Sequence, residues 1–244
     1  MPNYRLLALD LDGTVLNEKK QISKRNKDWI LRTKKAGVIV MFTTGRGMHR
    51  VKYFLDELDL TGPVVLVNGA EIWRSNDQLL ERHFISKEDI HRLHKIALAY
   101  QATFWGYSND SFIKGEDWNE TMFQQNWMKF GMKHTEVKTI DQIRRQLLGM
   151  EEIEVSSSGQ LNLEISLKGI TKEYGVKKIC REFGIGFHEV MAIGDNMNDY
   201  RLLKNCGLGI ATGNASPEIK AIADTITDTN ERDGVAKAIE NFLF

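Results

Sequence analysis

Net charge is what this chain most plainly lacks: 33 Lys and Arg balance 33 Asp and Glu, leaving a formal charge of zero. A dedicated nucleic-acid binder would carry a basic excess to neutralise phosphates, so that class is set aside, although a locally charged cleft remains open. Cysteine is scarce as well. Cys180 and Cys206 have neither metal-ligand nor disulfide-framework spacing and read as ordinary buried thiols in a reducing compartment. No apolar run approaches the ~18 residues that a bilayer-spanning helix needs, which excludes a membrane-embedded pump. The opening Met1-Pro2-Asn3-Tyr4-Arg5 leads into a few apolar residues that end at Asp10, too short a run for a signal peptide. The chain is therefore expected to be cytoplasmic. Only three prolines occur, with no low-complexity linker and no internal repeat. What is present in quantity is apolar side chain: 42% of 244 residues, enough for a sizeable core in one or two domains.

Two periodicities alternate through the first part of the chain. Leu6-Leu7-Ala8-Leu9 is a continuous apolar run closing on Asp10, the pattern of a strand buried on both faces. Residues 23–36 read as a helix that Ser23 can cap and Gly37 can stop. Val38 to Phe42 is a second strand, a Thr-Thr-Gly-Arg turn leads into a helix carrying Val51, Phe54, Leu55 and Leu58, and Val64 to Val67 is a third strand. Strands separated by helical crossovers specify a parallel sheet flanked by helices. The rhythm changes after residue 82: Ser86-Lys87-Glu88-Asp89 resembles a capping box, short aromatic stretches follow at 102–107 and 111–114, helices are expected at 116–130 and 139–148, and strands at 153–155 and 161–167. From Thr171 the first rhythm returns, through Val190 to Ile193, Leu208 to Ile210 and a last helix at 234–242. The expectation is an α/β, Rossmann-like core formed by residues 1–82 and 166–244, interrupted by an inserted α+β cap over residues 83–165.

Residues capable of chemistry recur where these strands end, the edge at which parallel sheets bind ligands. Asp10 and Asp12 follow the first strand in Asp10-Leu11-Asp12-Gly13-Thr14, Thr43 and Thr44 follow the second, and Asp195 follows a later one in Gly194-Asp195-Asn196-Met197-Asn198-Asp199. One aspartate at a strand end is an ordinary turn residue. Carboxylates delivered to one edge by separate segments repel unless a cation sits among them, and an oxygen-rich site suits Mg²⁺.

Taken together, Asp10 to Thr14, Thr44-Gly45-Arg46, Lys172 and Gly194-Asp195-x-x-Asn198-Asp199 resemble the four motifs of the haloacid dehalogenase-like superfamily. The resemblance runs along nearly the whole core. It points most closely to the Cof-type phosphatases, in which Asn68-Gly69-Ala70, Gly213-Asn214-Ala215 and Asp233-Gly234-Val235-Ala236 also have counterparts. It implies stepwise phosphoryl transfer, with Asp10 as nucleophile forming an aspartyl-phosphate and Asp12 as general acid and base. It further implies Mg²⁺ on the Asp10 carboxylate, the backbone carbonyl of Asp12 and the Asp195 carboxylate. The phosphoryl oxygens would be held by Thr44, the Gly45 amide, Lys172, the Leu11 amide and the Asn198 side chain, with Asp199 behind the metal ligands. Resembled dehalogenases have no acid at the position of Asp12 and the superfamily's ion pumps carry Thr there, so Asp12 points to a phosphatase or a mutase.

Thr44 is preferred to Thr43 because the family's hydroxyl stands immediately before glycine. Lys172 is preferred to Lys168, Lys177 and Lys178 because Thr171-Lys172 matches a small hydroxyl residue and a lysine at a helix start. Arg46 is read either as part of the site's positive field or as a helix-start surface arginine. His91 and His94 have possible ligand spacing but read as a solvated helix face, and most cap aromatics, Trp105, Trp118 and Trp127 among them, read as core. The stretch from Gly13 to Thr44 is too short to hold a cap. The cap therefore lies in the Cof position, where it would exclude water and carry specificity. The expected activity is Mg²⁺-dependent hydrolysis of small phosphorylated metabolites, sugar phosphates first, by a monomer or homodimer with no nucleic-acid or membrane partner. Two rivals stand beside it: a phosphomannomutase-like phosphotransferase, and a catalytically silent protein that only binds a phospho-ligand.

Overall fold

In a computed structural model, residues 4–109 and 111–244 are described; Met1, Pro2 and Asn3, the start of the segment read for a signal peptide, lie outside them. Strand β1 (Leu6–Leu9) is wholly buried, as its unbroken apolar run requires. Helix α1 (Lys24–Lys35) starts where the Ser23 hydroxyl accepts the Asn26 amide at 3.1 Å, and it stops before Gly37, whose φ of +86° ends the helical path. Strand β2 (Ile39–Phe42) and helix α2 (Met48–Glu57) follow. Strand β3 (Val64–Leu66) then turns back, through an Asn68 held at φ +57°, into an antiparallel hairpin of β4 (Glu71–Ser75) and β5 (Gln78–Arg82).

The next elements build a separate unit, Arg82–Ile170. Helix α3 (Lys87–Ala99) opens on Ser86, whose hydroxyl accepts the Asp89 amide at 3.0 Å. Strands β6 (Thr103–Ser108), β7 (Phe112–Lys114) and β8 (Trp127–Lys133), helix α4 (Val137–Leu147), and strands β9 (Ile153–Ser156) and β10 (Asn162–Leu167) complete it. The strands form one antiparallel sheet in the order β7-β6-β8-β10-β9. No helix covers 116–130: two short 3₁₀ turns, Gly115–Asp117 and Glu120–Gln124, precede β8. Phe123, Trp127 and Phe130 have helical spacing, which is why the pattern misleads. A bulge opposite Tyr107 and Ser108 shifts the β8 register and brings Trp127 into the same core as Phe130 despite their odd separation.

Helix α5 (Lys172–Phe183), strand β11 (Val190–Gly194), helix α6 (Tyr200–Asn205), strand β12 (Leu208–Ala211), helix α7 (Pro217–Ile222), strand β13 (Thr225–Ile226) and helix α8 (Gly234–Phe242) return to the first unit. That unit holds the residues up to Glu81 together with Thr171–Phe244. The boundary falls later than residue 166 because β10 pairs with β9 as far as Leu167 and keeps 166–170 in the smaller unit. The larger unit's sheet is parallel, in the order β13-β12-β11-β1-β2. Leu6 and Ala8 pack with Val176, Ile179, Leu202 and Leu203 from α5 and α6, while strand alternation sends Leu7 and Leu9 to the opposite face. Asn26 ties α1 to α8 by accepting the Ala236 amide at 2.9 Å. Among the described residues no helix is long and apolar enough to cross a membrane.

Candidate active site

Register decides which carboxylates meet. Leu9 stands level with Ile193, and the Asp10 amide donates to the Ile193 carbonyl at 3.0 Å, so Asp10 and Asp195 leave adjacent parallel strands at the same edge. The chain runs from β1 outward to β2 on one side and returns as β11 on the other, the kind of switch at which parallel sheets leave a crevice. Gly13 makes the close approach possible: its φ is +79°, and a Cβ there would stand 2.3 Å from Asp195 Oδ2. Gly69 does the same on the other side, with φ +103° and the Thr171 carbonyl 2.2 Å from where a Cβ would lie.

Lys172 sits at the first turn of α5, below Thr171, whose hydroxyl caps the helix by accepting the Tyr174 amide at 3.2 Å. Its side chain has no exposed surface, and Nζ donates to Asp10 Oδ1 at 2.6 Å and to Asp199 Oδ1 at 2.7 Å. The other Asp199 oxygen accepts the amides of Asp195 and Asn196 at 3.2 and 3.3 Å, so the same carboxylate closes the turn that carries Asp195. Thr14 donates to Asp195 Oδ1 at 3.4 Å. Carboxylate oxygens of Asp10, Asp195 and Asp199 lie within 4.8 Å of one another. Three acids thus face one ammonium.

The electrostatics follow from that imbalance. Burial is the largest influence on Asp10 and outweighs the Lys172 ion pair; with Asp199 adding repulsion, its carboxyl is pushed up to about 7. Asp195 rises to about 8, through burial first and then repulsion from Asp10 and Asp199. For Lys172 burial works against the charge, but the two carboxylates outweigh it and raise its pKa well above the usual lysine range. Carboxyls driven this high are short of positive charge. An all-oxygen donor set of this kind fits a hard divalent cation such as Mg²⁺.

Asp12 has a different environment. Arg46 grips its carboxylate with both arms of the guanidinium fork, Nε to Oδ2 and Nη2 to Oδ1, each at 2.7 Å, and Lys20 Nζ reaches Oδ1 at 2.9 Å. Burial opposes ionisation there, but the bonds from Arg46 and Lys20 outweigh it and hold the pKa down at about 2. Of the two readings open for Arg46, the helix-start surface arginine is therefore excluded: its side chain is only 10% exposed. The fork could be suspected from its place directly after Thr44-Gly45. Lys20 has no sequence signal; a turn in which Asn17 accepts the Lys20 and Gln21 amides brings it round.

The remaining expected residues gather at the same edge. Thr44 is buried and its hydroxyl accepts the Arg46 amide at 3.2 Å, while the neighbouring Thr43 hydroxyl, also buried, has no hydrogen-bond partner among the described residues. Gly45 lies in the turn between them and Arg46. The Leu11 side chain is buried in the core, which leaves its backbone as the part that can face a ligand. Asn198 donates to Asn68 Oδ1 at 3.2 Å, a partnership that connects two of the sequence motifs. Asn214 donates to the Gly13 carbonyl at 2.8 Å, and Asp233 accepts from Ser23 at 2.5 Å, so these two motifs brace loops. Lys177 pairs with Glu173 and Lys178 with Glu81, away from the carboxylates. His91 is exposed and His94 half-buried on α3, a largely solvated face as expected, and their rings also rest on aromatics: His91 stacks on Phe123 at 3.9 Å and His94 on Trp118 at 5.9 Å.

The chain is similar to known proteins along nearly its whole length. The family of haloacid dehalogenase-like hydrolases matches over residues 7–145 and 111–239. A 5-amino-6-(5-phospho-D-ribitylamino)uracil phosphatase of Bacillus subtilis, YcsE, is 34% identical over 241 residues, covering 99% of this chain and 96% of its own. A second Bacillus subtilis phosphatase of the same description, YitU, is 27% identical over 262 residues, covering 98% and 97%. The solved structure of a haloacid dehalogenase-like hydrolase from B. subtilis superposes with a TM-score of 0.90 at 22% identity, over 98% of this chain and all of the other, which speaks for the fold. On this footing the chain belongs to the haloacid dehalogenase-like hydrolases, as a phosphoric monoester hydrolase of the Cof type.

Proposed function

We propose that this protein is a Mg²⁺-dependent phosphatase of small phosphorylated metabolites, sugar and sugar-alcohol phosphates first, acting through a phosphoryl-aspartate on Asp10. The observation that carries the reading is the fully buried Lys172 bridging Asp10 and Asp199 beside Asp195. Burying that many charges is costly unless a ligand completes the set. A dianionic phosphate with a divalent cation does so.

Asp12, ionised while Arg46 and Lys20 hold it, takes up one proton from solvent as the ester binds and displaces Lys20. In the first step an Asp10 oxygen bonds to phosphorus, the ester P–O bond breaks, and Asp12 gives that proton to the departing alkoxide. In the second, water attacks the phosphoryl-aspartate, Asp12 takes the water's proton, and the Asp10–phosphorus bond breaks to release phosphate. The proton given in the first step is regained in the second, so the cycle balances on Asp12. Lys172, the Thr44 hydroxyl, the Asn198 side chain and the Leu11 and Gly45 amides are assigned to the phosphoryl oxygens. Mg²⁺, held by the Asp10 and Asp195 carboxylates and the Asp12 carbonyl, would supply the positive charge that lets a dianionic ester approach a carboxylate. Asp199, through its bonds to Lys172 and to the Asp195 and Asn196 amides, orients the others.

Specificity is assigned to the inserted unit. YcsE is named for a phosphate ester of a ribityl chain attached to a pyrimidine ring, a small sugar-alcohol phosphate, and this chemistry supports the proposed class. The test is phosphate release from a panel of hexose phosphates, pentose phosphates and the ribitylamino-uracil phosphate, with Mg²⁺ or EDTA, scored by kcat/KM. Mg²⁺-dependent release from members of that class is expected. Isomerised product without free phosphate, or no turnover of any ester, would overturn the reading.

A further inference from the structure

Asp12 has more partners than a freely swinging acid would need. Oδ2 accepts Arg46 Nε, and Oδ1 accepts both Arg46 Nη2 and Lys20 Nζ. The two donors differ in how firmly they are held. Arg46 has a side chain 10% exposed, its guanidinium carbon lies 5.4 Å from the centre of the Phe54 ring of α2, and its own amide donates to the Thr44 hydroxyl. Lys20 has a side chain 60% exposed on a turn. A planar fork fixes the orientation of a carboxylate, which a flexible ammonium does not. Oδ1 already accepts two bonds, so this oxygen can reach a leaving-group oxygen only after one of them opens.

We propose that Arg46 is the positioning residue of Asp12: its fork holds the carboxylate in one orientation throughout the reaction, and the Lys20 bond on Oδ1 is the one exchanged for the leaving-group oxygen. The inference rests on the role assigned to Asp12 above and extends it to Arg46, whose guanidinium bonds the Asp12 carboxylate. It makes Arg46 act only through Asp12. Loss of the fork then harms the steps that move a proton and spares those that do not.

The test is a double-mutant cycle between Arg46→Lys and Asp12→Asn, assayed with glucose 6-phosphate and p-nitrophenyl phosphate, the second of which needs little help from an acid. With glucose 6-phosphate, Arg46→Lys is expected to lose roughly 10²-fold in kcat, the order of effect produced by a small misplacement of a catalytic group. With p-nitrophenyl phosphate it should keep the rapid first release of p-nitrophenolate and slow only afterwards. In the Asp12→Asn background the same change should cost nothing further. Equal losses in kcat/KM for both esters, a quantity that stops at formation of the phosphoryl-aspartate, or the same loss with Asp12 already replaced, overturn the inference. Asp12→Asn by itself reports on the underlying reading: if it leaves the preference between the two esters unchanged, the role of Asp12 falls and the inference with it. If Asp12→Asn shifts that preference and Arg46→Lys does not, the inference alone falls. Should Arg46→Lys melt below the assay temperature, Arg46→Gln, a neutral side chain without the two-armed fork, takes its place with the same expectations.

Discussion

Lys172 shows how one side chain links stability to chemistry. It has no exposed surface, so its charge is tolerated only because Asp10 and Asp199 sit at 2.6 and 2.7 Å. Removing one partner of a buried ionic set leaves the others uncompensated, at a cost of about 3–5 kcal/mol. Lys172→Met should therefore lower the unfolding free energy of the metal-free protein, read by urea titration, by that order and abolish turnover. A loss below about 1 kcal/mol would show the pair to be as weak as a surface one. At this scale the sequence was informative about which residues meet: Lys172 bonds Asp10, Asp10 and Asp195 share one carboxylate cluster, and Asp12 is held by Arg46. It was silent wherever a contact depends on the path of the chain. Nothing in Lys19-Lys20 signals that Lys20 turns back onto Asp12, and nothing in Asn68 or Asn198 alone signals that they bond to each other.

Among the elements, α5 couples folding to the site most directly, since its first residue is Lys172 and its N-cap is Thr171. The cap bond fixes where the first turn begins. Thr171→Ala loses the acceptor for the Tyr174 amide and should cost about 1 kcal/mol in stability. Because the first turn also aims Lys172, kcat should fall with it. A variant destabilised by that amount with unchanged kcat would separate the cap from the aim of the lysine. The strands and helices of the larger unit were legible because each is a simple run: four apolar residues ending at Asp10, or a helix bracketed by Ser23 and Gly37. The hairpin β4–β5 and the short α7 and β13 were not, being too brief for a period to register. Residues 116–130 misled for a definite reason. Their aromatics obey helical spacing, yet Trp118 and Phe123 come from turns, and the bulge in β8 places Trp127 beside them by a means no periodicity reveals.

The whole molecule is expected to respond to pH and metal together. Asp10 stands at about 7 and Asp195 at about 8, both above the ordinary carboxyl value of about 3.9. Groups raised in the folded state add stability that is complete below the unfolded value and is lost as pH rises through the folded one. The metal-free protein should thus lose stability between about pH 4 and 8, where these acids surrender their protons against one another. A divalent cation takes the protons' place, and its binding strengthens as they leave. The rise in Tm on adding Mg²⁺ should consequently be larger at pH 8.5 than at pH 5.5. A rise that is equal at both, or larger in acid, would mean that the cation does not bind to these carboxylates. The central claim, that phosphoryl transfer passes through Asp10, is tested most directly by trapping. In Asp12→Asn the first step still proceeds with p-nitrophenyl phosphate, because p-nitrophenolate leaves without an acid, while hydrolysis of the intermediate lacks its base. Intact-protein mass spectrometry of a quenched mixture should then show one added phosphoryl group, labile to hydroxylamine and mapping to the peptide that contains Asp10. A label on any Ser, Thr or His, or an adduct that persists when Asp10→Asn is added, would contradict it.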